Sequence, residues 1–194
     1  MTWRWRSAED RLMSKLVGRG SHRGSTWFGK IGDTIQQPPV WVALALTLSA
    51  GGGKGRRAAG RGSACYLAAH LLHLGIKSVV GRRRPPGAGR MRLGPASSSF
   101  PSGHAASDLA FSLGASQEMP LLFVPLSLGT LAAHWSLIRS RGHYVSDVFA
   151  GGGVGSAVAL AAWRWWPPHH PVMNRDSASG SSAARSASPP PGSS

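Results

Sequence analysis

Residues Met119 to Ile138 read MPLLFVPLSLGTLAAHWSLI, twenty positions without Asp, Glu, Lys or Arg. A helix of that length covers about 30 Å, the thickness of a bilayer's hydrocarbon core. The stretch is expected to span a membrane, and four more apolar segments surround it. Pro38 to Ala50 follows a glutamine pair with a proline pair and stops at Gly51-Gly52-Gly53; Gly62 to Val80 carries CYLAAHLLHLGIKSVV. His104 to Ser116 is built on AASDLAFSLGAS, and Val145 to Trp166 ends in tryptophans that suit a membrane interface. The expected fold is all-α, a polytopic membrane helical bundle of about five apolar helices.

The mean hydropathy is close to zero, which would suit a small soluble helical protein. Basic loops and polar tails dilute that average, so segment length decides. Residues 1–37 mix Trp3, Trp5, Leu12, Met13, Leu16, Trp27, Phe28 and Ile31 with Arg and Lys, the pattern of an amphipathic interfacial segment. Residues 38–166 are the expected membrane-embedded domain. From residue 167 a Ser/Pro/Ala/Gly-rich tail follows, too poor in apolar side chains to build a core and expected to be disordered. The glycines of GGGVG in the last apolar segment suit close helix packing better than lipid exposure.

Charge narrows the partner. Twenty-two Lys and Arg against seven Asp and Glu give a net charge of +15, which calls for an anionic partner: phosphate, nucleic acid or lipid headgroup. No nucleic-acid-binding module is recognisable, and many of the basic residues flank membrane segments or fall into the clusters described next, so nucleic acid is not expected. Cys65 is the single cysteine, which excludes an intramolecular disulfide and a Cys-rich zinc motif. The start, MTWRWRSAEDR, lacks the apolar run of a cleavable signal peptide, so insertion rests on the internal segments.

If the spans alternate strictly, the loops after the second and fourth segments leave the membrane on one side. Three polar clusters then converge. Lys77 and Arg84, the last of the basic run Arg82-Arg83-Arg84, supply fixed positive charge suited to phosphate oxygens. FPSGH, Phe100 to His104, opens the third segment; Ser102 with the free backbone N–H groups of Gly103 and His104 makes an anion cradle. Ser102 as a plain helix cap is the competing reading of the same turn. His143 precedes Asp147 by four residues, a helical turn, so the carboxylate can hold one ring nitrogen while the other faces the cradle. An imidazole held that way is a candidate nucleophile, and His104 a candidate general acid.

Lys77-SVVGRR-Arg84-Pro85, Pro101-Ser102-Gly103-His104 and Ser136-LIRSRG-His143-YVS-Asp147 together resemble the three ordered signature motifs of the type 2 phosphatidic acid phosphatase family. That family shares its site with vanadium haloperoxidases, and the similarity covers roughly Trp41 to Trp163. The resemblance implies a membrane phosphatase acting on lipid phosphates or diphosphates, with no metal and no cofactor. His143 would form a phosphohistidine, Asp147 would orient it and His104 would protonate the leaving group. Lys77, Arg84, Ser102 and Gly103 would hold the phosphoryl oxygens.

One position departs from the pattern: Leu137 stands where the family's third motif has a phosphate-binding arginine. Arg139 is the candidate substitute, but two residues along a helix rotate a side chain by about 200°, so it needs local unwinding. Losing such a contact costs roughly a hundredfold in rate. A weakened relative that binds anionic lipid phosphate without efficient turnover is therefore the alternative function. Haloperoxidase chemistry fits a short membrane chain poorly.

Smaller features carry simpler expectations. His70, His73 and His134 are read as satisfied packing residues, and Asp108, a turn after His104, either tunes that imidazole or faces a cavity. Lys15, Lys30 and a loop from Lys54 to Arg61 (KGRRAAGR) are expected to flank the membrane. A basic short loop opposite the site suggests a cytoplasmic side there and an outward-facing site, in the plasma membrane; the basic amino terminus pulls the other way. No feature specifies an oligomer.

Overall fold

The computed structural model describes residues 2–17, 30, 33–85 and 98–168. Among them the regular structure is helical, without a strand. Helix α1 is Thr2–Val17, α2 Pro38–Ala50, α3 Gly52–Val80 and α4 Gly103–Glu118; a 3-10 turn, Pro120–Leu122, leads into α5 Phe123–Arg139, and α6 is Val145–Trp165. The all-α architecture expected from the segments is therefore present. Three of these stretches, Gly52–Val80, Pro120–Arg139 and Val145–Trp165, are long and apolar enough to cross a membrane. Their outer faces carry the large exposed apolar side chains that lipid tolerates and water does not, among them Leu67, Leu71, Leu128, Leu131 and Leu160.

The expected loop at Lys54–Arg61 is not a loop. Helix α3 starts ten residues earlier than the apolar pattern suggested, at Gly52, so KGRRAAGR forms its opening turns. Twenty-nine residues make a helix of about 43 Å. That exceeds the hydrocarbon thickness, so basic residues can remain helical beyond the apolar zone. They are also held there: Arg61 is fully buried, with its Nε donating to Glu118 Oε1 at 3.0 Å and its Nη1 to Gln117 Oε1 at 3.1 Å. Arg57 Nε reaches the other Glu118 oxygen at 3.4 Å. Tertiary charge pairing between α3 and the end of α4 replaces the solvation that a loop reading assumed.

Helix α4 is the central element, packed against α3, α5 and α6. It is 16 residues long, and small residues let its neighbours approach closely. A Cβ on Gly151 would lie 2.3 Å from the Ser102 carbonyl oxygen, and one on Gly155 would lie 2.4 Å from that of Ala106. The GGGVG segment thus brings α6 backbone to backbone with α4, as its composition suggested. On the other side Gly114 accommodates Cys65 of α3.

At the amino terminus α1 buries Met13 against Leu137, Ile138, Tyr144 and Val148, while Leu12 and Leu16 stay exposed. The side chains of Trp3 and Trp5, residues Trp27, Phe28 and Ile31, and the tail from residue 169 lie outside the described residues.

Candidate active site

Helix α3 ends at Gly81, whose left-handed backbone (φ 55°) turns the chain back along the bundle. Lys77 sits in the last turn before it. The segment after the turn runs beside the one that leads into α4: the Ser99 N–H donates to the Arg82 carbonyl at 2.7 Å, the Arg82 N–H to Ser98 Oγ at 3.0 Å and Ser99 Oγ to the Arg83 carbonyl at 3.0 Å. This pairing carries Arg84 and the Ser99 carbonyl toward the loop between α5 and α6.

That loop contains a non-glycine residue in the left-handed region, Arg141 at φ 55°. Such a backbone costs energy and recurs where a side chain must be aimed. Here it delivers His143, which is buried. Its Nδ1 lies 2.7 Å from the Ser99 carbonyl oxygen. A carbonyl only accepts, so Nδ1 carries a proton, and in the neutral ring Nε2 then carries the lone pair. Nε2 faces Arg84 Nη1 at 3.4 Å, and the same guanidinium nitrogen donates to the Gly142 carbonyl at 2.5 Å. Burial lowers the pKa of Arg84, with the Asp147 carboxylate opposing it; a guanidinium stays charged through such shifts.

Asp147 does not hold the imidazole as the spacing suggested. His143 lies outside the helix, with Tyr144 as N-cap, so the two residues are not one helical turn apart. Asp147 Oδ2 is 3.8 Å from His143 Nδ1, beyond hydrogen-bond range, and accepts from the Tyr144 N–H at 2.9 Å. Oδ1 accepts from Arg82 Nη1 at 2.6 Å. The Ser99 carbonyl takes the orienting hydrogen bond instead, and Asp147 lies beside the ring without bonding to it.

Ser102 is the N-cap of α4: fully buried, its Oγ accepts from the Ala105 N–H at 3.4 Å, and its own N–H donates to the Asp147 carbonyl at 2.9 Å. Its hydroxyl is thus committed to the helix, the plainer of its two sequence readings. Gly103 and His104 are the first two helical positions, whose N–H groups have no acceptor within the helix. His104 lies in electrostatic range of His143, His73, Lys77 and Arg84, so the three motifs meet.

Arg139 does not join them. Helix α5 continues without unwinding to Arg139, which stays exposed at its last position. Leu137 is 2% exposed among Met13, Ala105, Ile138, Tyr144 and Val148. It touches the site through its carbonyl, which accepts from the His143 N–H at 3.4 Å.

Two residues near this site were given no site role by the sequence. Arg82 is buried, donates to Asp147 and to Ser146 Oγ (2.7 Å), pairs with Glu9 and lies over the Tyr144 ring at 4.5 Å. His73 packs its ring against Gly103, where a Cβ would lie 2.4 Å from Nε2. His73 stands four residues before Lys77, a helical spacing that could have placed it on the same face. It packs as expected, its ring also edge-on to His70, whereas both Asp108 oxygens are buried without a hydrogen-bond partner among the described residues. Beside the site, Tyr144 donates to Asp10 Oδ1 at 3.0 Å, and burial followed by that bond pushes its pKa up to about 12. Among the described residues no group of three or more His, Cys, Asp or Glu is arranged to hold a metal ion.

The family model of the PAP2 superfamily matches residues 63–171. Comparison with curated proteins finds no match. Among solved structures the fold is similar to that of a transmembrane PAP2-type phosphatidylglycerolphosphate phosphatase from Bacillus subtilis. The TM-score is 0.64 at 17% identity, over 84% of this chain and 87% of that one.

Proposed function

The chain belongs to the PAP2 superfamily, and from that premise we propose that it is an integral membrane lipid-phosphate phosphohydrolase working through a phosphohistidine, without a metal. The observation that carries the reading is the state of His143: Nδ1 is tied to the Ser99 carbonyl, so the Nε2 lone pair is presented beside Arg84. That is a nucleophile facing a phosphate ligand.

In the proposed reaction Nε2 attacks phosphorus while Arg84, Lys77 and the Gly103 and His104 N–H groups hold the phosphoryl oxygens. The phosphorus–oxygen bond to the lipid breaks, and His104 gives its proton to the departing oxygen. Water, deprotonated by His104, then cleaves the phosphorus–nitrogen bond. Inorganic phosphate leaves and both histidines return to their starting states. Phosphatidate-type and isoprenyl-diphosphate-type lipids both offer the terminal phosphoryl group that this cradle would bind. The amino-terminal segment is proposed to lie at the interface. The site is proposed to face outward from the plasma membrane, with the Lys54–Arg61 end of α3 on the cytoplasmic side.

The test is phosphate release by detergent-purified protein from a lipid-phosphate panel with EDTA present, His143→Ala run alongside. Release that survives EDTA and falls at least about a thousandfold in the variant is expected, since removing a nucleophile costs that much or more. Release abolished by EDTA, or undiminished in His143→Ala, contradicts the mechanism. Burial of Leu137 among apolar side chains favours a second reading: a protein that holds lipid phosphate and turns it over slowly. Saturable lipid-phosphate binding with little or no release would establish that one.

A further inference from the structure

Two carboxylates from distant parts of the chain share one buried guanidinium beside the proposed nucleophile. Arg82 Nη1 donates to Asp147 Oδ1, and Nη2 pairs with Glu9 of α1. Arg82 and Asp147 are almost completely buried and Glu9 largely so, which strengthens the coupling over that of a surface pair. The adjacent α1 residue, Asp10, receives the Tyr144 hydroxyl, and Met13 closes over Leu137. Helix α1 thus contacts the site's supporting layer through two acidic groups and one apolar one.

We infer that Glu9 and Arg82 are positioning residues for the proposed reaction, which this inference takes as its premise: they hold Asp147 against α6 and set the charge that His143 meets, making α1 a part of the active site. Three features carry this. Asp147 cannot act on the imidazole by a hydrogen bond at 3.8 Å, so its influence is electrostatic. Its electrostatic strength depends on how far Arg82 cancels it. That in turn depends on Glu9, which neutralises the same guanidinium from the other side.

Among the described residues, other polar and charged groups surround this pair. Arg84 and His104 lie toward His143, the Ser99 carbonyl holds Nδ1, and the Tyr144 N–H holds Asp147. Lys77 and His73 of α3 act on His104, and Asp10 lies behind Tyr144. Against that background the sign of each change follows. Neutralising Glu9 leaves more of the Arg82 charge uncancelled, which disfavours a protonated His143. Removing Arg82 exposes the ring to both carboxylates and favours it. Because a protonated imidazole cannot attack, the acid limb of kcat/KM should move down in pH in the first case and up in the second.

The experiment reads the His143 titration directly, by NMR of the full-length protein in detergent with 13C-labelled histidine, the signal assigned by its loss in His143→Ala. Glu9→Gln is expected to lower the midpoint and Arg82→Ala to raise it, each by about half to one pH unit, while Arg82→Lys, which keeps the charge, restores most of the wild-type value. Phosphate release is followed in parallel. A His143 midpoint unmoved in a folded Glu9→Gln protein overturns the inference even if the enzyme is active. Midpoints that move as stated in a protein that releases no phosphate leave the charge network standing and remove the reaction assigned to it. Should Arg82→Ala fail to fold, the isosteric Glu9→Gln carries the test alone.

Discussion

At the scale of single residues, Leu137 separates what a motif says from what a side chain does. Resemblance marks it as a missing arginine, but its side chain is part of a small apolar cluster and only its carbonyl reaches the His143 backbone. Leu137→Arg is therefore expected to lower stability in detergent by about 3 kcal/mol or more, because an unpaired charge enters an apolar cluster. Thermal unfolding followed by circular dichroism, with phosphate release alongside, checks this; an unchanged midpoint with raised activity would show that the cluster opens to accept a guanidinium. Arg82, Arg83 and Arg84 make the complementary case. Three identical residues in a row have identical local propensities, and the motif singles out Arg84 alone. That Arg82 turns inward to Asp147 while Arg83 stays exposed depends on the pairing with Ser98 and Ser99 across the bundle.

Helices rather than side chains set the position of the PSGH turn. Ser102 is gripped from α6 in two ways: its N–H donates to the Asp147 carbonyl, and its own carbonyl packs onto Gly151. A methyl group at Gly151 would meet backbone, which cannot rotate away. Gly151→Ala is expected to displace the turn and lower phosphate release at least about tenfold, since small misplacements of a reacting geometry are costly. Gly153→Ala, which faces open space on the same helix, should leave release within about twofold, a surface change away from any close contact. Equal effects of the two substitutions would refute this account of the turn. The pattern GGGVG announced close packing, but not which glycines touch; that follows from the rotation of α6 against α4.

For the whole molecule, the segments read from the sequence correspond to helices α2 to α6, and the loops of motifs one and three do emerge together, as the Arg84–His143 contact shows. The orientation argument loses its loop, because Lys54 to Arg61 is the opening of α3. Charge near a span end still biases orientation, whether the backbone is helix or loop. In a Cys65→Ser background, Ser140→Cys at the site end is expected to react with a membrane-impermeant maleimide on intact cells, and Lys54→Cys at the far end only after permeabilisation. Both positions are exposed. The reverse labelling pattern would place the site inside.

Apolar runs and their lengths determined the all-helical, membrane-crossing character of this protein, because burial of backbone polar groups in lipid depends on composition over about twenty residues and little else. Motif order determined which residues would meet. Tertiary structure alone decided how they meet: the Ser99 carbonyl on His143, Arg82 between Glu9 and Asp147, Arg61 under Glu118, Leu137 under Met13. Each of these joins groups distant in the chain, and their strength comes from burial and geometry that exist only once the helices have packed.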